Sequence, residues 1–260
     1  YIIMPPAPPL RVRFYSAWFC PYAQRAWMAL GYSQVPFEKI ESLVVTGDAY
    51  VKRPDLLEVS PKGLVPVLVV PGGMVSETQR VDDNLVVTES IDCIEFIDGM
   101  ARVAGTPLVP DGSFLRDAHR FNREVCSVYY RVLMKQDADE RQEAFSAFVA
   151  GLEEFVSEVT ERGFYRSVHP TIVDYTVFPW IHRIFVIEHY RPELVLSSSM
   201  DPDRSAALKE YASRMEGLPC VAATLANPGE LLEVYRRYAR GTAESKVGDA
   251  VRAGKHAHEI

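Results

Sequence analysis

The stretch Trp18-Phe-Cys-Pro-Tyr-Ala-Gln-Arg25 puts a cysteine between an apolar run and a proline. A thiol reacts as its thiolate. A free cysteine has a pKa of about 8.5, and a helix N-terminus can lower this to roughly 3.5–7.5. Proline is favoured at the first helical position, so Pro21 predicts a helix that starts directly behind Cys20. Its unsatisfied N–H groups and the positive end of its dipole would then face the sulfur. Cys20 is therefore the candidate nucleophile; the ordinary alternative is a buried cysteine serving as a small hydrophobe. The residue three places on is Ala23, where a dithiol oxidoreductase carries its second cysteine. Without that thiol, a mixed disulfide on Cys20 must be opened by an external one. The expected chemistry is monothiol exchange with a small-molecule thiol as co-substrate, and the expected midpoint for alkylation of Cys20 is roughly pH 5–7.

The elements that must position this sulfur can be read on either side of it. Residues 10–17, LRVRFYSA, alternate as a strand does, and residues 21–31 run from Pro to Gly with apolar residues at helical spacing. Residues 35–43 alternate again, residues 50–59 read as a short polar helix or turn, and residues 63–70, GLVPVLVV, read as a buried strand with a proline inside it. Residues 71–84 read as a long hairpin loop and residues 85–88 as its returning strand. Ser90 reads as the N-cap of the helix that follows, with Asp92 in its first turn. Val65-Pro66 fits the place where thioredoxin-like folds begin a strand with a cis proline opposite the active thiol. A proline there leaves the backbone of the preceding residue to pair with an extended peptide. The order βαβ–α–ββα suggests one small mixed sheet.

Residues 102–113, rich in Gly and Pro, read as a linker. Beyond it, residues 114–135, 139–162, 172–189, 203–216 and 228–240 all carry helical periodicity. Thr171 and Asp174 match a capping box, the helix after them is apolar on nearly every face, and Pro179 should kink it. The expected organisation is a Pro-rich lead-in at 1–9, an α/β domain at 10–102, an all-α domain at 114–240 and a frayed polar tail at 241–260.

The chain has 260 residues, with 28 Lys and Arg against 35 Asp and Glu, a net charge of −7. This acidic balance disfavours binding to a nucleic-acid backbone, which needs clustered cations. No apolar run reaches the length of a membrane span, and the first residues do not read as a signal peptide. The four cysteines at 20, 93, 126 and 220 are too scattered for a disulfide framework or a zinc site. They imply reduced thiols, a cytoplasmic location and no metal; His256-Ala-His258 reads as part of the solvated tail.

Taken in order, CPYAQRAW after a strand, SPKGLVPVL, a strand ending in TES before a helix, and DYTVFPW in an all-α half resemble a cysteine-type glutathione transferase, Omega-like over residues 10–240. CPYAQRAW also resembles the plant Lambda class and the thiol-dependent reductases of trypanosomatids. The resemblance implies an α/β thioredoxin-like domain followed by an all-α domain, the glutathione transferase fold. It implies that Cys20 forms a mixed disulfide with glutathione, the co-substrate. Phe19, Pro21, Tyr22, Leu64, Val65 and Pro66 would line the glutathione site, with the Val65 backbone pairing with the cysteinyl residue. Lys52, or Arg53 one place on, would meet the glycine carboxylate, and Glu89 and Ser90 would hold the γ-glutamyl end. Tyr129, Tyr130 and Trp180 would line a second-substrate pocket. The implied reactions are deglutathionylation and reduction of dehydroascorbate-type compounds, with other small thiols and disulfides as partners. Conjugation should be weak, because Tyr15 and Ser16 do not lie at the helix start. Omega relatives imply a homodimer and Lambda relatives a monomer. Lys62, where the Omega motif has an aromatic or small residue, and the long 71–84 loop depart from the family pattern. Two alternatives stay open: a binding or regulatory module like the intracellular chloride channel proteins, and the same chemistry with another small thiol such as trypanothione.

Overall fold

Four strands share one open end, and Cys20, Val65 and Glu89 stand just beyond it. In the computed structural model, which describes residues 11–47, 49–72, 83–100, 106–159 and 163–259, the first strand is β1 (Val12–Ser16). It is followed by α1 (Pro21–Tyr32), β2 (Phe37–Glu41), β3 (Leu43–Thr46), β4 (Ala49–Lys52), α2 (Pro54–Val59), β5 (Val67–Val70), β6 (Leu85–Val87) and α3 (Ser90–Met100). The sheet order is β2-β1-β5-β6. β2 runs parallel to β1, pairing Ser16 with Glu41; β5 is antiparallel to β1, pairing Tyr15 with Val67; β6 is antiparallel to β5, pairing Leu68 with Val87. The ends of β1, β2 and β6 and the start of β5 therefore lie along the same edge, in the order of the strands. The Val65-Pro66 peptide bond is cis and stands directly before β5. Val67 to Val70 are all buried, as a strand covered on both faces requires.

The segment read as a polar helix or turn at 50–59 is corrected. Its first residues form β4, which pairs with β3 in a separate hairpin, Leu43 opposite Lys52 and Thr46 opposite Ala49. The turn is made possible by Gly47, at φ +56°. Only Pro54–Val59 is helical. Most of residues 71–84 and part of 102–113 lie outside the described residues, as does the lead-in at 1–9.

Among the described residues beyond α3 the named elements are helical: α4 (Gly112–Phe121), a π-turn at Asn122–Cys126, α5 (Ser127–Met134), α6 (Ala138–Ser157), α7 (Ile172–Ile181), α8 (Ile184–Tyr190), α9 (Leu196–Ser199), α10 (Pro202–Glu216), α11 (Pro219–Ala222), α12 (Pro228–Ala239) and α13 (Lys246–Arg252). The single helix read at 172–189 is two, parted at His182-Arg183. Pro179 has no N–H to give to the preceding turn, and the Arg183 guanidinium donates to the Pro179 carbonyl at 2.7 Å.

The capping box at Thr171 and Asp174 is present. Asp174 accepts from the Thr171 N–H at 2.7 Å, the Thr171 hydroxyl at 2.8 Å and the Tyr165 N–H at 3.0 Å. Burial still pushes its carboxyl up to about 6, against three sets of hydrogen bonds pulling it down. The unfolded chain releases this proton near pH 4 and the folded chain near 6, so stability falls as pH rises between the two. A separation of about two pH units corresponds to roughly 3 kcal/mol. Urea unfolding between pH 4 and 7 should show this slope in the wild type and a flatter one in Asp174→Asn, which is also less stable throughout. An unchanged slope in the variant would assign the pH dependence elsewhere.

The tail is corrected too. Residues 241–259 are not frayed: Ser245 caps α13 through the Gly248 N–H at 3.0 Å, and Ala243, Ala250, Val251 and Ala257 are buried. His258 Nδ1 and the Ser127 hydroxyl share a hydrogen bond of 2.6 Å, which pins the segment to α5.

Candidate active site

Cys20 occupies the N-cap of α1, with φ −79° and ψ 117°, and Pro21 is the first helical residue. The helix forms as the sequence predicts, with Gln24 N–H donating to the Cys20 carbonyl at 3.0 Å. The thiol points at the Val65 carbonyl, 4.0 Å away, across the gap between the end of β1 and the start of β5. It opens on a cleft of about 700 Å³. All of the residues read as glutathione-binding line this cleft except Pro21, which is buried beneath it.

The two edges of the sheet give the cleft two different ends. Beyond β6, Glu89 stands at φ +61°, a conformation that costs a residue with a Cβ about 1 kcal/mol or more. It turns the chain into α3 and accepts the Cys93 N–H at 2.9 Å, so Glu89 holds the N-cap place given above to Ser90. Ser90 is the first helical residue, and its hydroxyl accepts from Arg25 at 2.9 Å. Beyond β2, on the other edge, the β3–β4 hairpin brings Lys52 to the cleft. Its ammonium donates to the Lys62 carbonyl at 2.9 Å. The Lys52 side chain crosses Gly63 so closely that a Cβ there would lie 2.4 Å from Lys52 Cδ, and Gly63 has φ +63°. Only glycine serves both needs. Arg53 does not face the cleft; it pairs with Asp55 at 2.9 Å on the surface.

The second-substrate residues are not brought to the cleft. Tyr129, Tyr130 and Trp180 are 0%, 3% and 0% exposed and pack in the core. Tyr129 donates to the Arg183 carbonyl at 3.0 Å and touches the rings of Tyr130, Phe148 and Tyr235. Trp180 packs edge-on against Tyr22 at 4.8 Å. Helical periodicity identifies such aromatics but cannot tell a core face from a cleft face.

Two buried arginines behind Cys20 were not singled out in the sequence. Arg25 donates to Ser90 Oγ, to Asn122 Oδ1 at 2.8 Å and to the Thr176 carbonyl at 3.0 Å, with its guanidinium over the Trp180 ring. Arg183 donates to Gln24 Oε1 at 2.6 Å and to the Phe19 carbonyl at 3.3 Å. Both are 1% exposed. Gln24 and Arg25 belong to CPYAQRAW itself, so a polar pair one turn into an otherwise apolar helix was the available signal.

The electrostatic balance reverses one expectation. Cys20 is partly exposed, yet burial pushes its thiol above the ordinary value. The Ala23 and Tyr22 N–H groups, then Arg183 and Arg25, pull it down without prevailing. The helix start acts in the expected direction; the surrounding wall of protein, invisible locally in sequence, outweighs it. Alkylation of Cys20 by iodoacetamide, followed by peptide mapping, should therefore still be accelerating in the free protein at the pH where an unburied thiol has levelled off. A plateau reached below pH 7 would show that the N–H groups and arginines win instead.

Among the described residues no group of three or more His, Cys, Asp or Glu is placed to hold a metal ion, and no helix is long and apolar enough to cross a membrane.

A four-stranded β2-β1-β5-β6 sheet with an X-Pro bond before its third strand, flanked by α1 and α3, and a following helical half make up the glutathione transferase fold. Residues 19–100 match the family model for the N-terminal domain of glutathione S-transferases. The chain is 28% identical to pyrimidodiazepine synthase of Drosophila melanogaster over 223 residues, which is 82% of this chain and 79% of that protein. It is 27% identical to glutathione S-transferase omega-1 of Mus musculus over 190 residues, 70% of this chain and 71% of that one. Among solved structures, glutathione transferase Omega 3C from Trametes versicolor superposes with a TM-score of 0.70 at 23% identity, covering 92% of this chain and 94% of its own. Residues 19–100 thus match a glutathione S-transferase N-terminal domain, and the chain as a whole has the glutathione transferase fold and is similar to Omega-class glutathione transferases.

Proposed function

We propose that the protein is a glutathione-dependent thiol transferase that works through a mixed disulfide on Cys20. The observation that carries this reading is a single cysteine at a helix N-cap, open to a cleft, with Ala23 where a resolving thiol would stand. In the first step the Cys20 thiolate attacks the glutathionyl sulfur of a mixed disulfide RS–SG. The S–S bond breaks, Cys20–S–SG forms, and RS⁻ leaves and takes up a proton. In the second step the thiolate of a free glutathione attacks the glutathionyl sulfur on Cys20, releasing GSSG and restoring Cys20. The sum is RS–SG plus GSH giving RSH plus GSSG.

In this reading the glutathione lies across the strand ends. Its cysteinyl backbone pairs with Val65, its γ-glutamyl end lies by Glu89 and Ser90, and its glycine carboxylate lies towards Lys52. The opposite charges at the two ends of the cleft support that direction: a carboxylate suits the ammonium of the γ-glutamyl group, and an ammonium suits the glycine carboxylate. Phe19, Tyr22 and Leu64 supply apolar contact between them. The raised thiol pKa lowers the thiolate fraction, while a more basic thiolate is the stronger nucleophile. Activity should therefore climb with pH. The deciding test is transfer of glutathione from a mixed disulfide by the wild type and by Cys20→Ser; equal rates would overturn the reading in favour of a non-enzymatic module.

A further inference from the structure

Beyond Ser90, the residues that line the cleft all come from the C-terminal segment: Glu244, Ser245, Lys246, Val247, Asp249 and Arg252. This segment is fixed against the hairpin end of the cleft. The Tyr238 hydroxyl donates to Ser245 Oγ at 3.0 Å and shares a 3.1 Å hydrogen bond with the Tyr50 hydroxyl, and Tyr50 stands on β4 two residues before Lys52. Arg237, buried beneath, stacks on Tyr50 at 3.8 Å and donates to the Ala49 carbonyl at 3.0 Å. Lys246 therefore sits on the far wall from Lys52, at the same end.

The two ammonium groups differ from the other cation of that wall. Arg252 is committed to Asp249 at 2.6 Å and to the Gly241 and Ala243 carbonyls. Glu244 lines the same wall, but among the described residues no carboxylate forms an ion pair with Lys52 or Lys246. Burial lowers the Lys52 pKa, and the charge of Lys246 lowers it further. Two cations that line the same end of the cleft, one felt by the other and neither in an ion pair with a carboxylate among the described residues, form a place for an anion.

We infer that Lys246, carried by α13, and Lys52, carried by β4, clasp from two sides the free carboxylate at the glycine end of the thiol co-substrate. This rests on the function proposed above and names the class of thiol the site accepts: one ending in a free carboxylate. A thiol whose glycine carboxyl is esterified loses the attraction. One joined there to a polyamine, as in trypanothione, brings further cations against the two lysines, and like charges exclude a ligand more sharply than a missing contact does.

The test is calorimetric titration of wild type and Lys246→Gln with glutathione, its glycyl monoethyl ester and reduced trypanothione. Lys246 is exposed at the first turn of α13, so the variant should unfold at the temperature of the wild type. The wild type should bind glutathione about tenfold or more tightly than the ester, and trypanothione more weakly still. Lys246→Gln should weaken glutathione about three- to tenfold and leave the ester within about twofold, so that the preference shrinks. An unchanged preference in the variant, or wild-type affinity for trypanothione equal to that for glutathione, overturns the clasp while the transferase reading stands. No binding of glutathione by the wild type would bring down that reading and the clasp with it.

Discussion

Cys20→Ser should lose glutathione transfer from mixed disulfides by roughly 10³-fold or more, because serine cannot form the covalent intermediate. The hydroxyl keeps the shape of the N-cap and is itself a favoured capping group, so the fold should be undisturbed. The loss should therefore fall on turnover, with glutathione affinity little changed. Intact-mass analysis should find one glutathione adduct on the wild type after reaction with GSSG, mapping to Cys20, and none on the variant. The other three cysteines provide the control: Cys93 and Cys126 are buried, and Cys220 lies against the Tyr175 hydroxyl at 3.4 Å. An adduct mapping to Cys220 instead would move the reactive sulfur to the other end of α1, where Gly31 packs on it.

The second large effect concerns Arg25. Its guanidinium joins α1 to α3, α7 and the π-turn through Ser90, Thr176 and Asn122. Arg25→Met removes the donor to three buried neutral acceptors at once. Each unsatisfied group costs about 1–3 kcal/mol, part of which the apolar replacement recovers. A loss of about 3–5 kcal/mol is expected, or a fall in melting temperature of roughly 10 °C for a chain of this size. Arg25→Lys should fare little better, because one ammonium cannot reproduce a planar fork that serves three separated acceptors. Removing the cation also takes away one of the influences that lower the Cys20 pKa, so the alkylation profile should move further towards alkaline pH. Thermal unfolding of both variants beside the wild type decides the first point. A melting temperature within about 2 °C of wild type for Arg25→Met would show that the surrounding groups repair the gap.

How far the sequence reached depended on the range of the physics involved. Pro21 behind Cys20, the helical stretches behind α6, α10 and α12, and the Thr171–Asp174 box are local features, settled by propensities and caps within a few residues. They stand where the sequence placed them. The split between α7 and α8 was half legible, because Pro179 marks the weakness but not the residue at which the helix ends. The β3–β4 hairpin was missed because its alternation is short and half exposed, and the pairing of Leu43 with Lys52 is a tertiary event. The tail was misread because its polar composition looks like solvent-exposed chain. Its few apolar residues, Ala243, Val251 and Ala257, bury themselves against helices far away in sequence.

By itself, then, the sequence determined that a sulfur would stand at the head of a helix, with alanine and no second thiol three residues on. Those are consequences of bond geometry and nearest neighbours. Only the tertiary structure decided how strongly that sulfur is shielded, which aromatics face the core and which the cleft, and that α13 forms the far wall with Lys246. Burial, electrostatic balance and the shape of a cavity are sums over groups brought together from the whole chain, and no window of sequence contains them.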